Sequence, residues 1–196
     1  MSQEKKRFFT IFRIVFIGVM SAMVFVISLF RFPLFSSKMH LGNTICLLSG
    51  LLFGPVSGGL ASGIGSFLVD VQGGYPLWEA IITLVSKFAM GFLAGLLGNT
   101  FRKLAKSKGL TTMWVILGSV VGSVSYVCLY MLKHFVLQLF VYQNGWDAMW
   151  AVLAAKFPAS ALNCVVSFII APVLFFALFP ALKAIPSYRK QENLSK

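Results

Sequence analysis

Four stretches of this chain, residues 9–31, 77–100, 112–140 and 148–182, each run past 20 residues with at most two charged side chains. A helix needs about 20 apolar residues to cross a hydrocarbon layer about 30 Å thick, because each residue rises about 1.5 Å. Four such stretches leave a chain of 196 residues little room to be anything but a polytopic membrane protein. Charged residues make up 11% of the chain and apolar ones 58%, whereas a soluble domain carries about 25% charged residues to wet its surface. A cytosolic enzyme, a disordered chain and a secreted disulfide scaffold are therefore excluded. The net charge of +12 would suit nucleic acid on a soluble basic face, but no soluble fold fits between these runs. The positive charges read instead as topology signals. Cys46, Cys128 and Cys164 are odd in number and sit far apart in apolar runs, so buried inert thiols are expected.

The segment 41–69 is interrupted by Phe53-Gly54-Pro55-Val56-Ser57-Gly58-Gly59, which a continuous helix would not favour. It reads as one kinked span or two short ones, and the basic clusters choose between them. Lys5, Lys6, Arg7 and Arg13 begin the chain; Arg102, Lys103, Lys106 and Lys108 form a loop; Lys183, Arg189, Lys190 and Lys196 end it. All three clusters lie in the cytoplasm if 41–69 crosses twice or forms a re-entrant hairpin; two short crossings are the reading taken, and 12 of the 17 Lys and Arg residues then face inward. The expectation is an all-α integral membrane protein, a single domain over 1–196. It has six transmembrane helices, N-in and C-in, two of them short and joined by a Gly-Pro turn near the cytoplasmic face. Outer loops fall at 32–40, 70–76 and 141–147. A cleaved signal peptide over residues 1–30 is the competing reading, but Phe30-Arg31-Phe32-Pro33 offers no small-x-small cleavage site. Lys156-Phe157-Pro158 is expected to separate an interfacial segment from the last helix proper.

Small residues at helical spacing, such as Gly58, Gly63, Gly91, Gly95, Gly118 and Gly122, suit close packing inside the bundle. Gly18 and Ala22 suit either internal packing or docking of a partner. Polar residues inside a membrane face a cavity or one another, and three stripes occur. The first is Glu79, Thr83 and Lys87. The second is Tyr126, Tyr130 and His134, with Lys133 beside it. The third is Lys156, Ser160, Asn163 and Ser167. Each stripe shares one helix face and lies in the expected outer half, beneath Tyr75, Trp78, Tyr142, Trp146 and Trp150. The arrangement predicts a pocket open to the outside, against the plainer readings that the aromatics are interfacial anchors, that His134 makes an interhelical hydrogen bond, and that Lys87 pairs with Asp70 or Glu79. No phosphate-binding loop, His-Glu-x-x-His or Gly-x-Ser-x-Gly occurs, so no catalytic residue, metal site or cofactor is assigned. A channel is disfavoured because nothing reads as a filter or a ring of charge.

The series Leu41-Gly42-Asn43-Thr44, Leu51-Leu52-Phe53-Gly54-Pro55, Gly58-Gly59-Leu60-Ala61-Ser62-Gly63-Ile64-Gly65-Ser66-Phe67-Leu68-Val69-Asp70, Gly74-Tyr75-Pro76 and Ile82-Thr83-Leu84-Val85-Ser86-Lys87 resembles the substrate-binding S component of energy-coupling factor (ECF) vitamin transporters. The match covers about 40–100 in detail and the whole chain in layout. The resemblance implies a six-helix fold in the bacterial plasma membrane and a pocket near the outer face closed by the loop after the first helix, here Arg31-Phe32-Pro33-Leu34-Phe35. It implies docking on a transmembrane T subunit coupled to two ATPase subunits that use the ATP, and a toppling motion that releases the vitamin inside. Family members often dock through Ala-x-x-x-Ala; the matching place here reads Gly18-Val19-Met20-Ser21-Ala22, which makes Gly18 and Ala22 the docking candidates. Thiamin-type members bind with an acidic residue, a His and an Asn on helices 4 to 6, where Glu79, His134 and Asn163 stand. The candidate binding set is therefore Glu79, Thr83, Lys87, Tyr126, Tyr130, His134, Trp146, Lys156 and Asn163. It suits a polar heteroaromatic such as a pyridoxine-like or hydroxymethylpyrimidine-like compound, with other vitamins open. The alternatives are a stand-alone secondary transporter with an ion path through Asp70, Glu79 and Lys87, and a small integral-membrane enzyme using His134 or Asp70.

Overall fold

A computed structural model describes residues 11–34 and 37–189. Lys5, Lys6, Arg7, Phe35, Lys190 and Lys196, on which some expectations rest, lie outside the described residues. Among the described residues six α-helices follow one another: α1 (Ile11–Leu29), α2 (Gly42–Phe53), α3 (Pro55–Gln72), α4 (Leu77–Gly95), α5 (Lys108–Val136) and α6 (Trp146–Ala184). Between α1 and α2 stands a hairpin of β1 (Phe32–Leu34) and β2 (Ser37–Met39), antiparallel, with Phe32 opposite Met39. The helical path of α4 runs on through a π-helical turn (Leu96–Thr100) and a 3-10 turn (Phe101–Leu104), and that of α5 through a π-helical turn (Leu137–Val141). Among the described residues four helical stretches are long and apolar enough to cross a membrane: Ile11–Leu29, Leu77–Leu104, Lys108–Val141 and Trp146–Ala184. At 12 and 18 residues, α2 and α3 are about 18 and 27 Å long.

The helix α2 is the centre of the bundle. Every residue from Gly42 to Leu52 is buried, which suits a mostly apolar helix packed on all sides by others. Its Leu47, Leu48 and Leu51 pack with Val24 of α1, Met90 of α4, Val115 of α5 and Phe175 of α6. Close backbone approach makes this possible. A side chain at Gly50 would strike the Gly91 carbonyl, and one at Gly58 would strike Gly50.

The break between α2 and α3 is Gly54, at φ +86° and ψ 179°, with Pro55 opening α3. Only glycine adopts that backbone without strain, and proline tolerates a first-turn position because its missing N–H has no helical partner there. The carbonyls freed at the end of α2 are claimed from outside. Asn99 Nδ2 donates to Leu51 O at 2.9 Å and Leu52 O at 3.1 Å, and Tyr188 Oη donates to Leu52 O at 2.8 Å.

Two expectations need correction. The last helix does not begin after Pro158: α6 is continuous from Trp146 through Pro158, Pro172 and Pro180. Proline removes one rung of the ladder, yet in a helix that meets lipid or protein rather than water, neighbouring groups can take up the freed carbonyl. The thiols are not uniformly buried, because Cys128 is exposed on α5 while Cys46 is buried. On α1, Gly18 and Ala22 face outward, so of the two readings open for them internal packing is not the one met here, and a side chain at Gly18 would have nothing within 4 Å.

Candidate functional site

The chain direction of the helices puts the hairpin, the 73–76 turn and the 142–145 connection at one end of the bundle. The Gly54 break and the basic 102–108 segment lie at the other. A cavity of about 260 Å³ opens at the hairpin end. The stripe of α4 contributes Glu79, Thr83 and Lys87, that of α5 Tyr126, Tyr130 and His134, and that of α6 Lys156, Ser160 and Asn163. Residues four apart on three helices meet because each helix turns the same face inward over successive turns. Of the nine candidate binding residues, Trp146 stands apart. As the first residue of α6 it lies beyond the rim, 62% exposed, with its ring edge-on to Phe135 at 6.4 Å.

The charges are arranged in two groups. Lys133 Nζ pairs with Glu79 Oε2 at 2.9 Å. Lys87, only 3% exposed, pairs with neither Asp70 nor Glu79. It donates to Asn43 Oδ1 and stands 3.5 Å from the centroid of the Tyr126 ring, a cation held by an amide oxygen and an aromatic face. Along α5 the rings of Tyr126, Tyr130 and His134 form an aromatic wall, with centroids 5.9 and 4.6 Å apart.

Several lining residues escaped the stripes, among them Arg31, His40 and Asn43. Asn43 sits in the first turn of the short α2, and the other two flank the hairpin, so helical periodicity could not group them with α4, α5 and α6. The visible signal was a polar residue opening an otherwise apolar helix. The His40 backbone N–H donates to Asn163 Oδ1 at 3.2 Å, which ties the end of the hairpin to α6. Burial, together with the charges of Lys87 and Arg31, pushes the His40 imidazole down to about 3. Asp70 and Tyr75, quoted above for the resemblance, also line the cavity. Among the described residues no three His, Cys, Asp or Glu side chains gather as metal ligands. The arrangement suits holding a small polar ring.

The family model described as "ECF-type riboflavin transporter, S component" matches residues 8–179. A structure described as the S component of a bacterial ECF transporter superposes with a TM-score of 0.62 at 19% identity, covering 87% of this chain and 97% of that one. The structure of ThiT from Listeria monocytogenes superposes with a TM-score of 0.65 at 18% identity, covering 90% and 96%. A protein of Pyrococcus woesei described only as uncharacterised is 39% identical over 101 residues, which span 50% of this chain and 64% of that relative's length.

Proposed function

The chain belongs to the ECF-type riboflavin transporter S component family, and from that membership we propose that it captures a vitamin or vitamin precursor outside the cell and delivers it inside. It is a substrate-binding subunit of an ECF transporter, an integral membrane protein and not an enzyme. In this reading a single unit of six helices crosses the bacterial plasma membrane with both ends in the cytoplasm. The basic segment at 102–108 then marks the inner end and the cavity opens at the outer one. A T subunit and two ATPase subunits supply the coupling. The small surface at Gly18 and Ala22, turned outward on α1, is the face offered to the T subunit.

The observation that carries this reading is a polar cavity enclosed at one end of an apolar bundle. A cavity that gathers charged side chains within a membrane protein is costly unless it serves a ligand. Its volume of about 260 Å³ lies just below the roughly 300–1,000 Å³ of sites for drug-sized molecules, which favours a compact polar heteroaromatic of pyridoxine-like or hydroxymethylpyrimidine-like kind. The wall of Tyr126, Tyr130 and His134 gives such a ring a stacking surface. Riboflavin is the second reading, favoured by the family's description.

The test is a thermal-shift screen of the purified chain against vitamins and their precursors. A ligand that binds only the folded state raises the melting temperature with its excess over Kd. One ligand acting at sub-micromolar concentration is the expected result, and Tyr130→Ala should weaken it. Uptake that survives ATP depletion but fails when the proton gradient collapses would replace this reading with a secondary transporter.

A further inference from the structure

We propose that the ligand carries an anionic group, a carboxylate or a phosphate, seated on the cavity floor between Lys87, His40 and the first turn of α2. The proposal rests on reading the cavity as the substrate site. The distribution of charge argues for it first. Of the 17 Lys and Arg residues, 12 belong to the three clusters of the inner side. Four of the remaining five, Arg31, Lys87, Lys133 and Lys156, line this one cavity, against two carboxylates, Asp70 and Glu79. Glu79 is taken by Lys133. Three cations are left facing a single carboxylate in a site walled by membrane helices, where unbalanced charge is costly.

The floor holds a deeply buried cation. Lys87 is the eleventh residue of α4, about 15 Å along the helix from its start, and its direct contacts are neutral, the Asn43 amide and the Tyr126 ring. The N-terminus of the 12-residue α2 ends beside it with no side-chain cap. Of its first N–H groups that of Thr44 is taken by Leu41 O at 3.0 Å, so the terminus offers those of Gly42 and Asn43 and the positive end of the helix dipole. Two further lining groups, His40 Nδ1 and Ser160 Oγ, are buried without a hydrogen-bond partner. A ligand anion would give both a partner, as the hydroxyl and a ring N–H donate readily to one. Ammonium, helix terminus and orphan donors together make a built anion site, and the aromatic wall above it receives the ring of the same molecule.

The experiment uses matched probes on the purified full chain: nicotinate with nicotinamide, 4-pyridoxate and pyridoxine 5′-phosphate with pyridoxine, and flavin mononucleotide with riboflavin. Within at least one set the acid should bind 100-fold or more tighter than its neutral counterpart. The carboxylate and phosphate arms identify which anion is preferred. Lys87→Met should bring the ratio of acid to neutral affinity down to about one, whatever its effect on neutral binding, and Lys156→Gln provides a second reading should Lys87→Met fold poorly. Tight binding of a neutral probe with no gain from charge would overturn the anion site and leave the substrate-binding reading standing. Binding of no probe in any set would overturn the small-heteroaromatic reading together with the anion site.

Discussion

Lys133 of α5 and Glu79 of α4 meet at 2.9 Å beside the cavity, with side chains 10% and 13% exposed. At that burial the pair matters less for its attraction than for what each charge becomes without the other. Glu79→Gln should lower stability by about 2 kcal/mol by leaving Lys133 uncompensated, whereas Glu79→Gln with Lys133→Met should recover most of the loss. A double-mutant cycle on thermal unfolding without ligand measures this. Additive losses would mean that the ion pair is not coupled.

The backbone at Gly54, φ +86° with ψ 179°, belongs to a region essentially closed to other residues, at a cost of about 1–3 kcal/mol. Gly54→Ala should lower stability by about 2 kcal/mol, while Pro55→Ala should cost less. A Gly54→Ala melting temperature equal to that of the parent would contradict the strained turn.

On α1, Gly18 has open space where a side chain would go. Gly18→Leu should therefore change the stability of the isolated chain by less than about 0.5 kcal/mol, yet remove co-purification with a T subunit and uptake with it. Retained co-purification would move the docking face elsewhere.

The His40 imidazole takes a proton only near pH 3 when folded, against 6.5 ordinarily. Unfolding therefore takes up a proton as the pH falls below 6.5, and the stability held at neutral pH drains away towards the folded value. Between pH 7.5 and 5 the ligand-free chain should lose about 2 kcal/mol through this group. In His40→Gln that share of the acid sensitivity should vanish. Burial is the main cause of the shift, and the charges of Lys87 on α4 and Arg31 beside the hairpin add to it, so Lys87→Met should reduce it in part.

Much of the cavity was legible in the chain because helical periodicity reports which residues share a face. Glu79, Thr83 and Lys87 recur every four residues, as do Tyr126, Tyr130 and His134, and a polar stripe within an apolar run has to turn away from lipid. Trp146 was misplaced because an aromatic residue near a membrane border looks alike whether it lines a pocket or anchors the rim. The continuity of α6 across Pro158 was missed because proline is a breaker in water but a tolerated interruption in a packed membrane helix.

By itself the sequence determined the membrane class, the four long apolar spans and the polar face of each of α4, α5 and α6, since these depend on composition and spacing along one helix. Only the tertiary structure decided who meets whom. It set Lys87 on Asn43 and Tyr126 rather than on a carboxylate, brought Lys133 to Glu79, and folded His40 back against Asn163 from 123 positions away. Periodicity fixes which way a side chain points about its own helix. The rotation and depth of one helix against another follow from glycine contacts such as Gly50 against Gly91, which no single-helix pattern contains.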